Sequence, residues 1–405
     1  MVYSIRALSI RSQDDAEREL AALDVDPFSI RNMSPKMLHR VLLVERIGFG
    51  EASVLKKELL SLEGDAAVAG CRPDSFPNET SVLLMGTVKQ LRLLCTKLRK
   101  QAFGLPSLAS DILRFLDMDA TPPNSWDIGR RSIDLARRPC VMGILNVTPD
   151  SFSDGNSFFP VERALERAFE MEEEGADLID IGGESTRPGA GAVDSDEELR
   201  RVLPVIRGLA GKLKIPLSID TFKSSVAAEA LREGAEIVND ISALTFDNRM
   251  AEVVASARAG LVLMHTRGRP DEMQRNTEYS SLVTEVSGSL RRSLDLALDA
   301  GIEQGRIVVD PGIGFGKSVE GNLELIRRLS EFSALGCPIM VGTSRKSFIG
   351  AVLGRPVDKR LYGTAATVAI ALANGASIFR VHDVRPMRDT LDMAMALVTP
   401  AAATV

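Results

Sequence analysis

From about residue 137 onward the chain alternates short apolar runs with amphipathic helical stretches eight times, and nothing else constrains its fold as much. The runs read as strands lie at 141–145, 178–182, 216–220, 236–239, 261–264, 307–310, 338–342 and 378–381. Between them, stretches such as 161–174 repeat apolar residues at three and four positions, the period of a helix with one buried face. Glycines stop several of these helices just before the next strand, as in Glu174-Gly175-Ala176-Asp177 and Glu233-Gly234-Ala235-Glu236. Strands that alternate with helices need a parallel sheet. Eight such units predict a closed (β/α)8 TIM barrel, an α/β fold.

A barrel of this kind gathers its active groups at the C-terminal ends of the strands. Polar residues sit there repeatedly. Asn146 follows the first strand, Gly183-Glu184-Ser185-Thr186-Arg187 the second, Asp220 closes the third and Asn239-Asp240 the fourth. His265 follows the fifth, Asp310-Pro311-Gly312 the sixth, Thr343-Ser344-Arg345-Lys346 the seventh, and Arg380-Val381-His382-Asp383 the eighth. A packed core has no use for such a ring. A strand-ending aspartate taken alone can simply cap the next helix. Several aimed into one mouth suit a polar heterocycle, because a carboxylate accepts paired N–H donors and an amide offers both donor and acceptor. Lys346, Arg380 and His382, near the last two strands, fit the usual phosphate position of barrels.

The segment Val141-Met142-Gly143-Ile144-Leu145-Asn146-Val147-Thr148-Pro149-Asp150-Ser151-Phe152-Ser153-Asp154-Gly155 is the most specific of all. A buried strand turns abruptly into a loop that carries an amide, two carboxylates, hydroxyls and one aromatic. This segment strongly resembles the signature of dihydropteroate synthases, and the likeness covers about residues 126 to 398. It implies condensation of 6-hydroxymethyl-7,8-dihydropterin pyrophosphate with p-aminobenzoate, giving 7,8-dihydropteroate and pyrophosphate, with Mg2+ on the pyrophosphate. By the same resemblance Asp220, Asn239, Met264, Asp310, Phe315 and Lys346 bind the pterin. Asn146, Thr186, Arg380 and His382 hold the pyrophosphate, and Asn146 also serves the metal. Phe152, Thr186, Arg187, Pro188, Lys346 and Ser347 surround the p-aminobenzoate. Asp150 is a further candidate, for positioning the amine or the pyrophosphate. Together with Asn146, Lys346, Arg380 and His382 it completes the catalytic set. Asp180 points into the barrel and is read as orienting other polar groups; Glu184 fits a family position without a clear role. Two positions vary from the family: Ala243 stands where glycine is frequent, and Thr266 in Met264-His265-Thr266-Arg267 differs.

Gly312-Ile313-Gly314-Phe315-Gly316-Lys317-Ser318 imitates a nucleotide-binding P-loop, but three residues separate its outer glycines where the motif needs four. Its glycines are read as a tight turn that brings backbone close to the pterin.

The chain has 405 residues, more than one core usually serves, so two domains are expected. Residues 1–120 read as a small α+β domain without assigned chemistry: a strand at 3–9, helices at 13–23 and 51–62, a strand at 81–86 and a basic helix at 87–100. Residues 121–136 read as a linker and barrel-bottom segment, with a ribbon within 126–139, ahead of a barrel at 137–405. A net charge of −6 argues against general nucleic-acid binding. The N-terminus lacks the pattern of a signal peptide, and no apolar run suits a membrane. Cys71, Cys95, Cys140 and Cys337 have no metal-like spacing and read as reduced thiols. The expectation is a cytoplasmic enzyme acting on small molecules, without nucleic-acid or membrane partners; the resemblance adds a homodimer. Two alternatives stand beside it: a methyltransferase of the same barrel class, which needs the pterin acids but no pyrophosphate site, and a pterin-binding protein without turnover.

Overall fold

The computed structural model describes residues 3–70, 79–102, 104–148, 160–184, 193–269 and 272–399. The chain separates into two compact units, Met1–Thr121 and Pro122–Val405.

The first unit runs α1 (Gln13–Ala21), α2 (Pro27–Met37), β1 (His39–Gly48), α3 (Phe49–Leu60), β2 (Asp65–Val68), β3 (Glu79–Thr87), α4 (Val88–Leu98) and α5 (Leu105–Ala120). Its antiparallel sheet has the order β1-β3-β2. Capping boxes start α1 (Ser12 with Asp15) and α4 (Thr87 with Gln90). The unit has its own core, in which Leu91, Leu94 and Leu98 of α4 join Leu55, Leu59, Val82, Leu84, Ile112 and Leu116. The strand expected at 3–9 is absent, and Tyr3 and Ile5 are 81% and 93% exposed. The place beside β3 is taken by β1, with Val41 opposite Met85. The helices α2 and α5 and the strands β1 and β2 were not foreseen.

The second unit opens with a two-stranded ribbon, β4 (Ser125–Asp127) and β5 (Ser132–Asp134). Eight parallel strands follow: β6 (Cys140–Asn146), β7 (Leu178–Gly182), β8 (Leu217–Asp220), β9 (Ile237–Asp240), β10 (Gly260–Met264), β11 (Ile307–Asp310), β12 (Met340–Val341) and β13 (Ile378–Val381). Their order is β11-β10-β9-β8-β7-β6-β13-β12. A bridge between Val309 and Ile339, with the Val309 amide donating to the Pro338 carbonyl at 3.0 Å, closes the ring between β11 and β12. Helices connect the strands, among them α6 (Pro160–Glu173), α7 (Ser195–Leu209), α8 (Ser224–Glu233), α9 (Met250–Ala257), α10 (Leu282–Asp299), α11 (Val319–Arg327), α12 (Ser347–Leu353), α13 (Leu361–Ala373) and α14 (Val384–Val398). This is the TIM barrel that the alternation predicts.

Strand side chains alternate between faces, so the interior of the barrel can be read in layers. Met142, Leu178, Ile237, Val262, Val308, Met340 and Ile378 form an apolar floor with Trp126 and Ile128 of the ribbon segment. Trp126 is fully buried, and its indole N–H donates to the Arg306 carbonyl at 2.9 Å. Two residues further along their strands come Asp180, Asn239, Met264, Asp310 and Arg380. The period of two thus converts a dry floor into a polar chamber within one step of each strand.

Candidate active site

The chamber holds a connected set of charges. Arg380 donates from Nε to Asp180 Oδ2 at 2.6 Å and from Nη2 to Asp220 Oδ2 at 2.7 Å. Asn239 donates its amide to the same Asp180 oxygen at 2.9 Å. Asp180 Oδ1, Asp220 Oδ1, Asn239 Oδ1 and Ser218 Oγ are buried without a hydrogen-bond partner. Buried acceptors of this kind are normally satisfied, so these four interior residues present capacity that a donor-rich ligand can use. Burial raises the Asp220 carboxyl above its ordinary range, with Asp180 adding to the effect and Arg380 opposing it. Asp310, which accepts the Gly312 amide at 2.7 Å, is pushed up to about 6 by burial against that hydrogen bond.

Beyond β11 the backbone turns through Gly312, Gly314 and Gly316, with φ of 70°, 86° and 63°. These values favour glycine, and a Cβ at Gly312 would stand 1.9 Å from the His265 carbonyl oxygen. Lys317, the residue that imitated a P-loop lysine, points inward. Its Nζ lies 2.9 Å from His265 Nδ1, 3.2 Å from the His265 carbonyl and 2.9 Å from the Phe315 carbonyl. Burial holds its basicity well below the usual value, yet three acceptors match the three N–H bonds of an ammonium. Lys317 is a strut for the turn, and with it His265 is buried and occupied rather than open to the chamber.

Phe315, carried by that turn, lies under Lys346, whose Nζ is 4.0 Å from the ring centroid. Burial lowers the Lys346 ammonium to about 8, with Asp310 opposing and Arg380 reinforcing. Lys346 precedes α12, and Ser347 is exposed in its first turn. Arg345, at φ 58°, forks onto Asp383. Arg360 donates to the carbonyls of Arg345 at 2.9 Å and Lys346 at 3.3 Å. Ser344 Oγ accepts the His382 amide at 3.2 Å and lies 3.0 Å from His382 Nδ1. The two loops that follow β12 and β13 are therefore tied together.

Asn146 ends β6 half-buried, and its Oδ1 would lie 3.6 Å from a Cβ added at Gly182, as would Asp220 Oδ2. Met264 is buried at the end of β10 with Phe315 and Met273. Asp150, Phe152, Thr186, Arg187 and Pro188 lie outside the described residues. Glu184 and Glu198 both pair with Lys223, and Glu184 also accepts the Val193 amide. Sequence reasoning missed Lys317 and Lys223. Lys317 reads only as part of a failed P-loop match, and Lys223, two residues past Thr221, reads as a solvated charge.

Comparison with known proteins agrees with this arrangement. The family model described as "Pterin binding enzyme" matches residues 142–382. Dihydropteroate synthase of Synechocystis is 47% identical over 276 residues, spanning 68% of this chain and 96% of that protein. A probable bifunctional folylpolyglutamate synthase/dihydropteroate synthase of Halobacterium salinarum is 42% identical over 378 residues. That match takes in 93% of this chain, which spans only 45% of the longer protein. Among solved structures, dihydropteroate synthase from Xanthomonas albilineans with 4-aminobenzoic acid is 43% identical with a TM-score of 0.65, covering 69% of this chain and 100% of its own. The chain belongs to the pterin-binding enzyme family, within it to the dihydropteroate synthases.

Proposed function

We propose that the barrel condenses 6-hydroxymethyl-7,8-dihydropterin pyrophosphate with p-aminobenzoate, releasing pyrophosphate and 7,8-dihydropteroate for folate synthesis. The observation that carries this reading is the coexistence, in one chamber, of unsatisfied acceptors on Asp220 and Asn239 with the cations of Arg380 and Lys346. Heterocycle recognition needs the first set and an anionic leaving group the second. A methyltransferase of the same class has no use for the cations.

The aromatic amine is a weak nucleophile, since its lone pair is delocalised into the ring. Departure of pyrophosphate is then the demanding event, and preorganised charge is the main source of acceleration. In this reading Asp220, Asn239 and Asp310 accept the N–H groups of the pterin, and the two carboxylates stabilise positive charge as it grows on the ring. Met264 and Phe315 supply its apolar walls. Arg380 and His382, with Asn146 and Thr186, hold the pyrophosphate; Lys346 contacts the pterin and lines the second pocket. Phe152, Thr186, Arg187, Pro188 and Ser347 receive the p-aminobenzoate, and Asp150 positions its amine or the pyrophosphate. The C–O bond to pyrophosphate breaks, the amine nitrogen bonds to the methylene carbon this exposes, and the proton it loses passes to the departing pyrophosphate or solvent.

The donor set suits Mg2+ bound mainly through the substrate. No group of three His, Cys, Asp or Glu side chains able to hold a metal occurs among the described residues, whereas Mg2+ beside phosphates needs only one or two protein ligands. Asn146 would be one, and the bound ion would neutralise charge on the leaving group.

A cytoplasmic setting agrees with the buried free thiols of Cys95, Cys140 and Cys337, and no helix among the described residues is long and apolar enough to cross a membrane. A homodimer would bury Tyr362, Ile370, Met393 and Leu397, exposed on α13 and α14; sedimentation tests it. For the activity, pyrophosphate release is measured with dihydropterin pyrophosphate and Mg2+. Release that depends on p-aminobenzoate is expected, and release that ignores the amine, or none, overturns the reading.

A further inference from the structure

Asp180 is completely buried, and the reading above gives it no substrate. Two donors nevertheless converge on one of its oxygens, Asn239 Nδ2 at 2.9 Å and Arg380 Nε at 2.6 Å. In the ring of strands β9 stands two places from β7 on one side, and β13 two places on the other. Asp180 Oδ2 is therefore a joint shared by a candidate pterin ligand and a candidate pyrophosphate ligand, beside the direct Asp220–Arg380 pair.

The joint has two physical consequences. With its N–H committed to Asp180, the Asn239 amide is fixed in orientation and its Oδ1 is left facing a new donor. Arg380 meanwhile serves two carboxylates at once, Asp180 and Asp220. An anion that approaches this guanidinium alone must compete with both. Donors from a heterocycle on Asp220 relieve half of that competition, while the Nε bond to Asp180 keeps the arginine from leaving the chamber. Ordering either half also leaves less ordering for the second ligand to impose.

We propose that Asp180 is a positioning residue that couples the two halves of the site, so that a pterin and a pyrophosphate each tighten the binding of the other. The proposal rests on the assignment of those two ligands under the proposed function. By linkage the effect is reciprocal.

The test is calorimetric titration with 6-hydroxymethylpterin, which lacks the leaving group, with and without inorganic pyrophosphate in magnesium-containing buffer. Wild-type protein is expected to bind the pterin about five-fold more tightly, or better, when pyrophosphate is present. Asp180→Asn keeps the volume but loses the charge that holds Arg380. It is expected to bind each ligand separately and to lose more than half of the coupling factor. A wild-type factor below about five, or a variant that keeps more than half of it, overturns the proposal. If Asp180→Asn does not melt cooperatively, Asp180→Ser removes the same joint and is judged by the same criterion. Condensation is assayed on the same preparation. Turnover without coupling sinks this inference alone, and coupling without turnover sinks the proposed reaction alone.

Discussion

The charge states of three side chains set what the chamber can do at a given pH. Asp220 and Asp310 must be ionised to accept donors, and burial raises their carboxyls to about 7 and about 6. Lys346 must be protonated to act as a cation, and burial lowers it to about 8. The free protein is thus competent between the higher carboxyl value and that of Lys346. A bell-shaped profile of kcat/KM for the pterin substrate is expected, with limbs near those two values, since this parameter reports the free enzyme. Lys346→Arg should move the alkaline limb upward, because a guanidinium does not titrate there; an unmoved limb assigns it to another group. Lys346→Ala and Asp220→Ala should each lower kcat/KM by about a hundred-fold or more with the melting curve preserved, the scale of losing one preorganised charge.

Elements position these residues, and two of them invite substitution. Gly312→Ala puts a Cβ onto the His265 carbonyl at a φ of 70°. The whole turn from Gly312 to Lys317 must shift, so pterin affinity should fall at least ten-fold; calorimetry with the pterin decides it. Trp126→Ala empties the floor below the chamber and orphans the Arg306 carbonyl. A loss of about 3–5 kcal/mol in urea denaturation is expected, with kcat little changed where the protein remains folded. How legible these elements were follows from their periodicity. The barrel strands are apolar runs bounded by glycine and polar ends, so all eight could be read directly. Asp180 announced only that it faced inward, since its partners lie 59 and 200 residues away in sequence. Ala243, noted as a departure from glycine, has φ 50°, a conformation that explains the preference it breaks. In the first unit, β1 and α5 were invisible. A strand that makes sense only beside β3, and a helix packed on α4, owe their form to partners and not to local pattern.

At the scale of the molecule, each unit carries its own core. The match to the Synechocystis protein takes in 68% of this chain and nearly all of that protein. Residues 122–405 produced alone should therefore fold and retain kcat/KM within about ten-fold, since few contacts cross a domain boundary as a rule. A barrel that aggregates or turns over far more slowly gives the first 121 residues a part in building it. Within the barrel, the closure between β11 and β12 rests on the isolated Val309–Ile339 bridge, whereas β6 and β7 pair over five residues. The wall is thus a belt fastened at a single buckle, and Asp310 stands on one side of it with Lys346 beyond the other. A ligand that touches both would draw the belt tight, so the Val309 amide should exchange its hydrogen sooner than that of Ile219 in the free protein and be the one most slowed by pterin.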